Sequence, residues 1–310
     1  MTSPAQPADA RPDPGLSAIV SERRHLSNLA YRLLGSLTDA EDVVQETYTR
    51  WYAMSRPQQE AVGSPAAWLT RVAARICLDQ LRSARARRER YVGEWIPEPL
   101  PDRAEWAGQS PPDPADRVTL DESVNMAFLV VLESMTPPER VAFILHDVFR
   151  YPFPEVAEIV GRSPAACRQL ATSARRRLRA TQAPPAPVAR QARIVGDFKR
   201  AWEAGDIDAL IGLLDPAATG TADGGGRADA VLRPVEGAEQ VARYALDIVT
   251  RIPGMTLLER TVNGRPGLVG RRDDATVVVL AFDVVDDRIT RIWAVRNPDK
   301  LRSWPAGPRH

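Results

Sequence analysis

Between Val160 and Ala165 the chain reads Val-Gly-Arg-Ser-Pro-Ala, and this break between two helical patterns constrains the fold more than any other stretch. The preceding residues, Pro154 to Val160, place Val156, Ala157 and Val160 on one face of a short helix. Gly161 can take the left-handed conformation that closes a helix into a tight turn. A second helix then starts at once, because Ser163 suits the N-cap and Pro164 the first helical position. Two helices joined so closely cross at a large angle. That is the helix-turn-helix arrangement, whose second helix enters a DNA major groove.

On the second helix Cys167, Leu170, Ala171, Ala174 and Leu178 recur at helical spacing and form a narrow buried stripe. Ser163 opens the helix, and Ala165, Arg168, Gln169, Thr172 and Arg176 lie opposite the stripe, with Arg175 beside them. From Arg162 to Arg179 there are six arginines and no carboxylate, a surface suited to phosphate neutralisation. The plainer alternative is a helical hairpin with a solvated basic face.

Net charge is only +1, so nucleic-acid binding must come from local segregation of charge, and the segregation is visible. Arg71 to Arg90 carries seven arginines against two acids, whereas Tyr91 to Asp116 carries six acids against one arginine. A length of 310 residues accommodates two or three domains. Cys77 and Cys167 both fall on apolar helix faces, and no Cys/His cluster has metal spacing, so buried thiols in a reducing cytoplasm are expected, with no metal and no cofactor. Residues 1–15 form a polar Pro/Ala-rich leader without the apolar centre of a signal peptide or anchor. No apolar run has membrane-spanning length. A cytoplasmic protein is the expectation.

Leu16 to Gly35 reads as a helix with Ile19, Leu26, Leu29, Ala30, Leu33 and Leu34 inward. Thr38 and Glu41 have capping-box spacing for the next helix. Its inner face is Val43, Val44, Thr47, Trp51 and Met54, leaving Asp39, Asp42, Gln45 and Glu46 outside, where an acidic face suits a protein partner better than DNA. Ser64 and Pro65 open a third helix with Trp68, Leu69, Val72, Ile76 and Leu81 towards the core and Arg71, Arg75, Asp79 and Arg82 elsewhere. Aromatic and arginine together can serve single-stranded DNA; a core role for Trp68 is the alternative.

These residues carry a resemblance. LLGSLTDAEDVVQETYTRWY followed by AWLTRVAARICLDQLRSARARR resembles the second region of bacterial extracytoplasmic-function sigma factors, and Leu132 to Arg179 resembles their fourth region. The resemblance implies a factor that binds core RNA polymerase and directs promoter-specific initiation. Asp39, Asp42, Gln45 and Glu46 would dock on the β′ clamp, and the fourth region would meet the β flap. Trp68, Arg71, Arg75, Asp79 and Arg82 would serve the −10 element. The −35 element would fall to Ser163, Ala165, Arg168, Gln169, Thr172, Arg175 and Arg176. Relatives often carry Asn where this chain has Arg75 or Ile76.

The second region is expected over residues 16–90 and the fourth over 117–180, with a first helix at Arg117 to Ser134 and a second, capped by Thr136, that contains a half-buried His146. Between them residues 91–116 hold six prolines and read as an extended, flexible acidic spacer, although Trp95 and Trp106 are unusual in a solvated one. A second linker covers 181–189. From residue 190 to 303 the pattern changes to a helix over Ala192 to Leu214, strands at Ala230–Pro234, Thr256–Val262, Pro266–Arg272, Ala275–Val285 and Arg288–Ala294, and a helix at Gly237–Thr250. Asp286-Asp287 is a natural hairpin turn. Residues 304–310 are a tail.

Helices followed by a curved antiparallel sheet suggest an α+β cone. The order resembles the SnoaL-like, ketosteroid-isomerase-like fold, so the fold class is two all-α sigma domains plus a C-terminal α+β cone. The whole resembles the sigma subgroup with a C-terminal SnoaL-like extension, through WIPEP at Trp95 to Pro99, DGGGR at Asp223 to Arg227 and NPDKL at Asn297 to Leu301. This implies contacts among Trp95, Pro97, Asp223, Gly224, Gly225, Gly226, Asn297, Pro298 and Asp299 in a non-catalytic regulatory cone. Enzymes with cone folds use an Asp or Glu base, and Asp223 and Asp283 are the candidates, so a bifunctional protein that binds or converts a small apolar ligand is the alternative.

Overall fold

The computed structural model describes residues 14–88, 91–102, 104, 124–181 and 186–304. Four helices come first: α1 (Pro14–Leu34), α2 (Leu37–Ala53), α3 (Arg56–Glu60) and α4 (Pro65–Arg88). The α1–α2 break is made by Gly35 in the left-handed region, and Ser36 rather than Thr38 is the cap, its side chain accepting from Asp39 N at 3.2 Å. Ser64 caps α4 as expected. Leu26, Leu29, Leu33, Val43, Trp51, Leu69 and Cys77 are buried in one core.

After an extended segment the chain resumes with α5 (Met126–Glu133), α6 (Pro137–Phe143), a π-helical segment (Ile144–Val148), α7 (Phe153–Val160) and α8 (Pro164–Thr181). Helix α5 starts where Asn125 caps it, accepting from Phe128 N at 2.7 Å; residues 117–123 of the helix expected over Arg117–Ser134 lie outside the described residues. The capping box at Thr136 forms with Glu139. The two helical modules are not separate bodies, since Val141, Ile144, Val156 and Cys167 belong to the same core as α1 and α4.

The remaining domain runs α9 (Val188–Ala204), α10 (Ile207–Leu213), β1 (Leu214–Asp223), β2 (Val235–Glu236), α11 (Ala238–Arg251), β3 (Thr256–Val262), β4 (Arg265–Arg272), β5 (Ala275–Val285) and β6 (Arg288–Val295). The sheet order is β2-β1-β6-β5-β4-β3, with β1 and β6 parallel and the other pairs antiparallel. Strand β1 has no counterpart in the sequence reading. After Leu214 its residues DPAATGTAD are small, polar or Pro, so pairing with β6 rather than intrinsic propensity makes them a strand. The strand expected at Ala230–Pro234 is irregular; only Val235 and Glu236 pair. The hairpin turn at Asp286-Asp287 forms with both residues at positive φ.

Alternation splits β5 between two cores. Val278, Leu280, Phe282 and Val284 face α9 and α11 together with Phe198, Trp202 and Ile248. Val279 and Ala281 face the other way, against Ile96, Met126 and Trp304. The sheet is therefore covered on both faces, which explains the density of valine. Its second face is the platform on which the helical modules and the linker sit.

Candidate nucleic-acid interface and interdomain junction

Gly161 ends α7 at φ 72°, ψ 38°, and Ser163 Oγ accepts from Ala166 N at 3.2 Å, so α8 starts where the sequence places it. Cys167, Ala171, Ala174 and Leu178 are buried. Ser163, Ala165, Arg168, Gln169, Thr172 and Arg176 are all exposed. Arg175 differs from the others in its surroundings. Arg175 is half-buried and gives a two-point ion pair to Asp147, at 2.7 and 3.1 Å, because the π-helical segment turns that carboxylate towards α8. His146 lies half-buried with its ring stacked on Phe153 at 3.8 Å and Nδ1 at 2.9 Å from Tyr151 O.

On α4, Trp68 packs edge-to-face on Trp51 with centroids 5.2 Å apart, leaving part of its ring exposed. Arg75, Asp79 and Arg82 are exposed and Arg71 half-exposed; Asp79 and Arg82 pair at 3.1 Å. Arg71 and Arg75 point to α7. On α2, Asp42, Gln45 and Glu46 are exposed and Glu46 pairs with Arg50. Asp39 is partly buried in the first turn, its backbone N–H engaged by the Ser36 cap. Asp42 and Gln45 line an open groove of about 670 Å³ with Arg23, Tyr48 and Tyr52.

The first part of the linker is extended, as expected, but from Ile96 on it is buried rather than solvated. Ile96, Pro97, Glu98, Pro99 and Leu100 are buried, and Pro101 pairs with Val262 at the end of β3. Trp106 lies outside the described residues. Glu98 explains the burial on the helical side. Its N–H donates to Gly35 O at 2.8 Å, its carboxylate accepts from Leu37 N at 2.8 Å, and its carbonyl accepts from Tyr31 Oη at 2.6 Å. The segment thus satisfies the backbone groups of the α1–α2 break.

On the other side Asp223, fully buried at the end of β1, gathers the linker and the C-terminal segment. Oδ1 accepts from Tyr91 Oη at 2.7 Å, and Oδ2 accepts from Ile96 N at 2.9 Å and Lys300 Nζ at 2.7 Å. Its carbonyl accepts from Arg296 N and Asn297 N. Asn297 Nδ2 donates to Tyr91 Oη at 2.8 Å, and Lys300 lies 4.0 Å over the Trp95 ring and donates to Ile96 O. Burial, then the Asp223 carboxylate, raises the Tyr91 pKa and keeps the phenol protonated.

Gly225, at φ 58°, has no room for a side chain: a Cβ would sit 2.2 Å from Asn297 Nδ2. Gly224 O closes the loop onto Arg227 N and Ala228 N, and Gly226 lies against Val92. Pro298 starts a short 3₁₀ turn, Asp299 N donates to Asn297 Oδ1, and the Asp299 carboxylate pairs with Arg227 at 3.0 Å. Pro97 packs on Gly35. The three motifs therefore meet in one buried knot.

The fully buried Asp223 carboxylate is engaged on both oxygens by donors from the linker and the C-terminal segment, a structural arrangement that faces the interdomain junction. Asp283 lies beside Arg291 and Arg265, and burial raises its pKa against their opposing charges. The apolar cavity between α9, α11 and the sheet, lined by Phe198, Trp202, Tyr244 and Leu280, holds about 30 Å³. Sequence reasoning missed Tyr31, Glu98, Tyr91 and Asn263, polar residues whose partners lie more than 60 positions away. For Asn263 a signal existed, since Asn263-Gly264 is the strongest short hairpin turn and puts both residues at positive φ.

Residues 19–87 match the family Sigma-70 region 2, and residues 125–178 match Sigma-70, region 4. The chain is 40% identical over 302 residues to the ECF RNA polymerase sigma factor SigJ of Mycobacterium tuberculosis, covering 93% of both sequences. It is 35% identical over 294 residues to the probable ECF RNA polymerase sigma factor SigI of the same organism, covering 93% of this chain and 95% of that one. The crystal structure of Mycobacterium tuberculosis SigJ superposes with a TM-score of 0.74 at 36% identity, over 94% of this chain and 100% of that one.

Proposed function

The chain belongs to the extracytoplasmic-function RNA polymerase sigma factors, and from that premise we propose how its modules divide the work of initiation. A sigma factor binds core RNA polymerase and promoter DNA and directs transcription initiation. Here the exposed face of α8, from Ser163 through Arg168, Gln169 and Thr172 to Arg176, reads the −35 element; Arg175 supports the helix through Asp147 rather than touching DNA. Trp68, Arg71, Arg75, Asp79 and Arg82 on α4 serve the −10 element. The α2 face with Asp39, Asp42, Gln45 and Glu46 docks on the β′ clamp, while the fourth-region module meets the β flap.

The cone regulates rather than catalyses. One observation carries this reading: Asp223 of the cone holds the interregion linker by Tyr91 and Ile96 and the C-terminal segment by Lys300, so the cone limits how far the two DNA-binding modules can separate. A cavity of about 30 Å³ takes a water or two, far less than the several hundred Å³ of a small-molecule site.

The test is in-vitro transcription with core polymerase and a randomised promoter library, comparing the full chain with Asp223→Asn and with a chain cut before Asn297. Promoter-dependent initiation by the full chain and altered output from both variants are expected. Unchanged output would remove the regulatory role, and no initiation at all would remove the module assignments.

A further inference from the structure

The basic side of α4 is covered from within the chain. Helix α7, the first helix of the helix-turn-helix, lies across it: Arg71 Nη2 is 3.4 Å from Glu158 Oε2, and Arg75 Nη2 donates to the Glu158 carbonyl at 2.8 Å. This placement is anchored by buried contacts on either side. Tyr151 Oη donates to Thr70 Oγ1 at 3.1 Å, and Arg140 Nη1 donates to Leu33 O at 2.9 Å, at the C-terminal end of α1.

A guanidinium recognises carboxylate and phosphate oxygens by the same planar set of donors. We propose that Glu158 occupies the place of a nucleic-acid phosphate, so that the first helix of the −35 module competes with the −10 strand for Arg71 and Arg75. The proposal rests on the assignment of α4 to the −10 element. Glu158 then sets the fraction of molecules whose α4 is open to DNA. Its side chain is 57% exposed and that of Arg71 41%, so the pair has the strength of a surface ion pair, about threefold in population, and not that of a lock. Salt weakens it together with phosphate binding.

The experiment uses the full chain and a fluorescent single-stranded 15-mer of mixed sequence at low salt. Glu158→Gln removes the charge at nearly constant shape. It is expected to tighten binding about threefold, and the gain should vanish in the Arg71→Ala/Arg75→Ala background, which itself binds more weakly. If the gain persists there, Glu158 acts as general negative charge and the proposal is wrong. If the arginine variant is weaker but Glu158→Gln gains nothing, the competition is refuted and the −10 assignment stands. If the arginine variant binds as well as the parent, the assignment falls and takes the proposal with it. A second readout places dyes at the exposed positions Thr49 and Ala180, where energy transfer should drop in Glu158→Gln; unchanged transfer also overturns the competition.

Discussion

Asn263, at the turn between β3 and β4, donates from Nδ2 to the hydroxyl of Tyr31 in α1 at 3.0 Å, joining the cone to the first helix of the chain across 232 positions. The same amide donates to Val124 O at 2.8 Å, and its Oδ1 accepts from Leu100 N at 3.0 Å. One side chain, with every donor and acceptor used, therefore touches both sigma regions and the linker between them. Its φ of 51° is what the two-residue hairpin turn requires and what asparagine tolerates.

Asn263→Ala removes the side-chain partner of Leu100 N and Val124 O and one of the two bonds of Tyr31 Oη, and should cost about 3 kcal/mol in urea unfolding. Asn263→Gly loses the same bonds but suits the positive φ, and should cost about 1 kcal/mol less. Equal midpoints for parent and both variants would contradict the keystone role.

Asp223→Asn removes the counter-charge of Lys300, which is 10% exposed, and should destabilise the chain by about 3 kcal/mol. Adding Lys300→Met should recover part of that loss, because the uncompensated buried ammonium is gone. A double-mutant cycle measures the coupling, and strict additivity would exclude it.

Two glycines with positive φ should respond differently to alanine. At Gly161 nothing lies within 4 Å of an added Cβ, so only conformational strain of about 1 kcal/mol arises. At Gly225 the same strain is joined by a clash with Asn297, and thermal unfolding should show a larger loss for Gly225→Ala.

The local punctuation of the chain was readable in advance. Gly161, Ser163 and Pro164 located α8 to the residue, and Asp286-Asp287 located the last hairpin, because each acts through its own backbone. Strand β1 was not readable, since its strand state depends on β6, about 75 positions later. The burial of Glu98 was equally hidden. A proline-rich acidic stretch reads as a spacer until its partners, the open backbone groups around Gly35, are brought to it by folding.

Arg168→Ala and Arg176→Ala should each weaken −35 binding and, where the contact is to phosphate, reduce the log-log salt slope by about one. Arg175→Ala should leave that slope unchanged and instead lower stability, by about 1 to 2 kcal/mol, through Asp147. Salt titrations of the three variants separate the two outcomes.

His25 gives a pH dependence. Its Nε2 is 3.2 Å from Tyr151 Oη and its ring meets Phe149 edge-on at 5.2 Å; burial lowers its pKa below the ordinary 6.5, against an opposing pull from Glu22. A lowered pKa means the packed state prefers neutral imidazole. The associated stability is present above pH 6.5 and drains away as pH falls below it. Energy transfer between α2 and α8 should therefore decline on acidification, and His25→Gln should flatten that decline; an identical pH profile for the variant would exclude His25 as its source.

The knot at Asp223 also sets an order of events during synthesis. Ile96 leaves the ribosome 204 residues ahead of Lys300, its most distant partner, which at ordinary elongation rates is roughly 10–40 s. Helix α8 is complete at Thr181, 119 residues before Lys300, so for roughly 6–24 s of that interval both DNA-binding modules exist without their restraint. Each newly made molecule therefore passes through an unrestrained period before its own C-terminal domain closes over it.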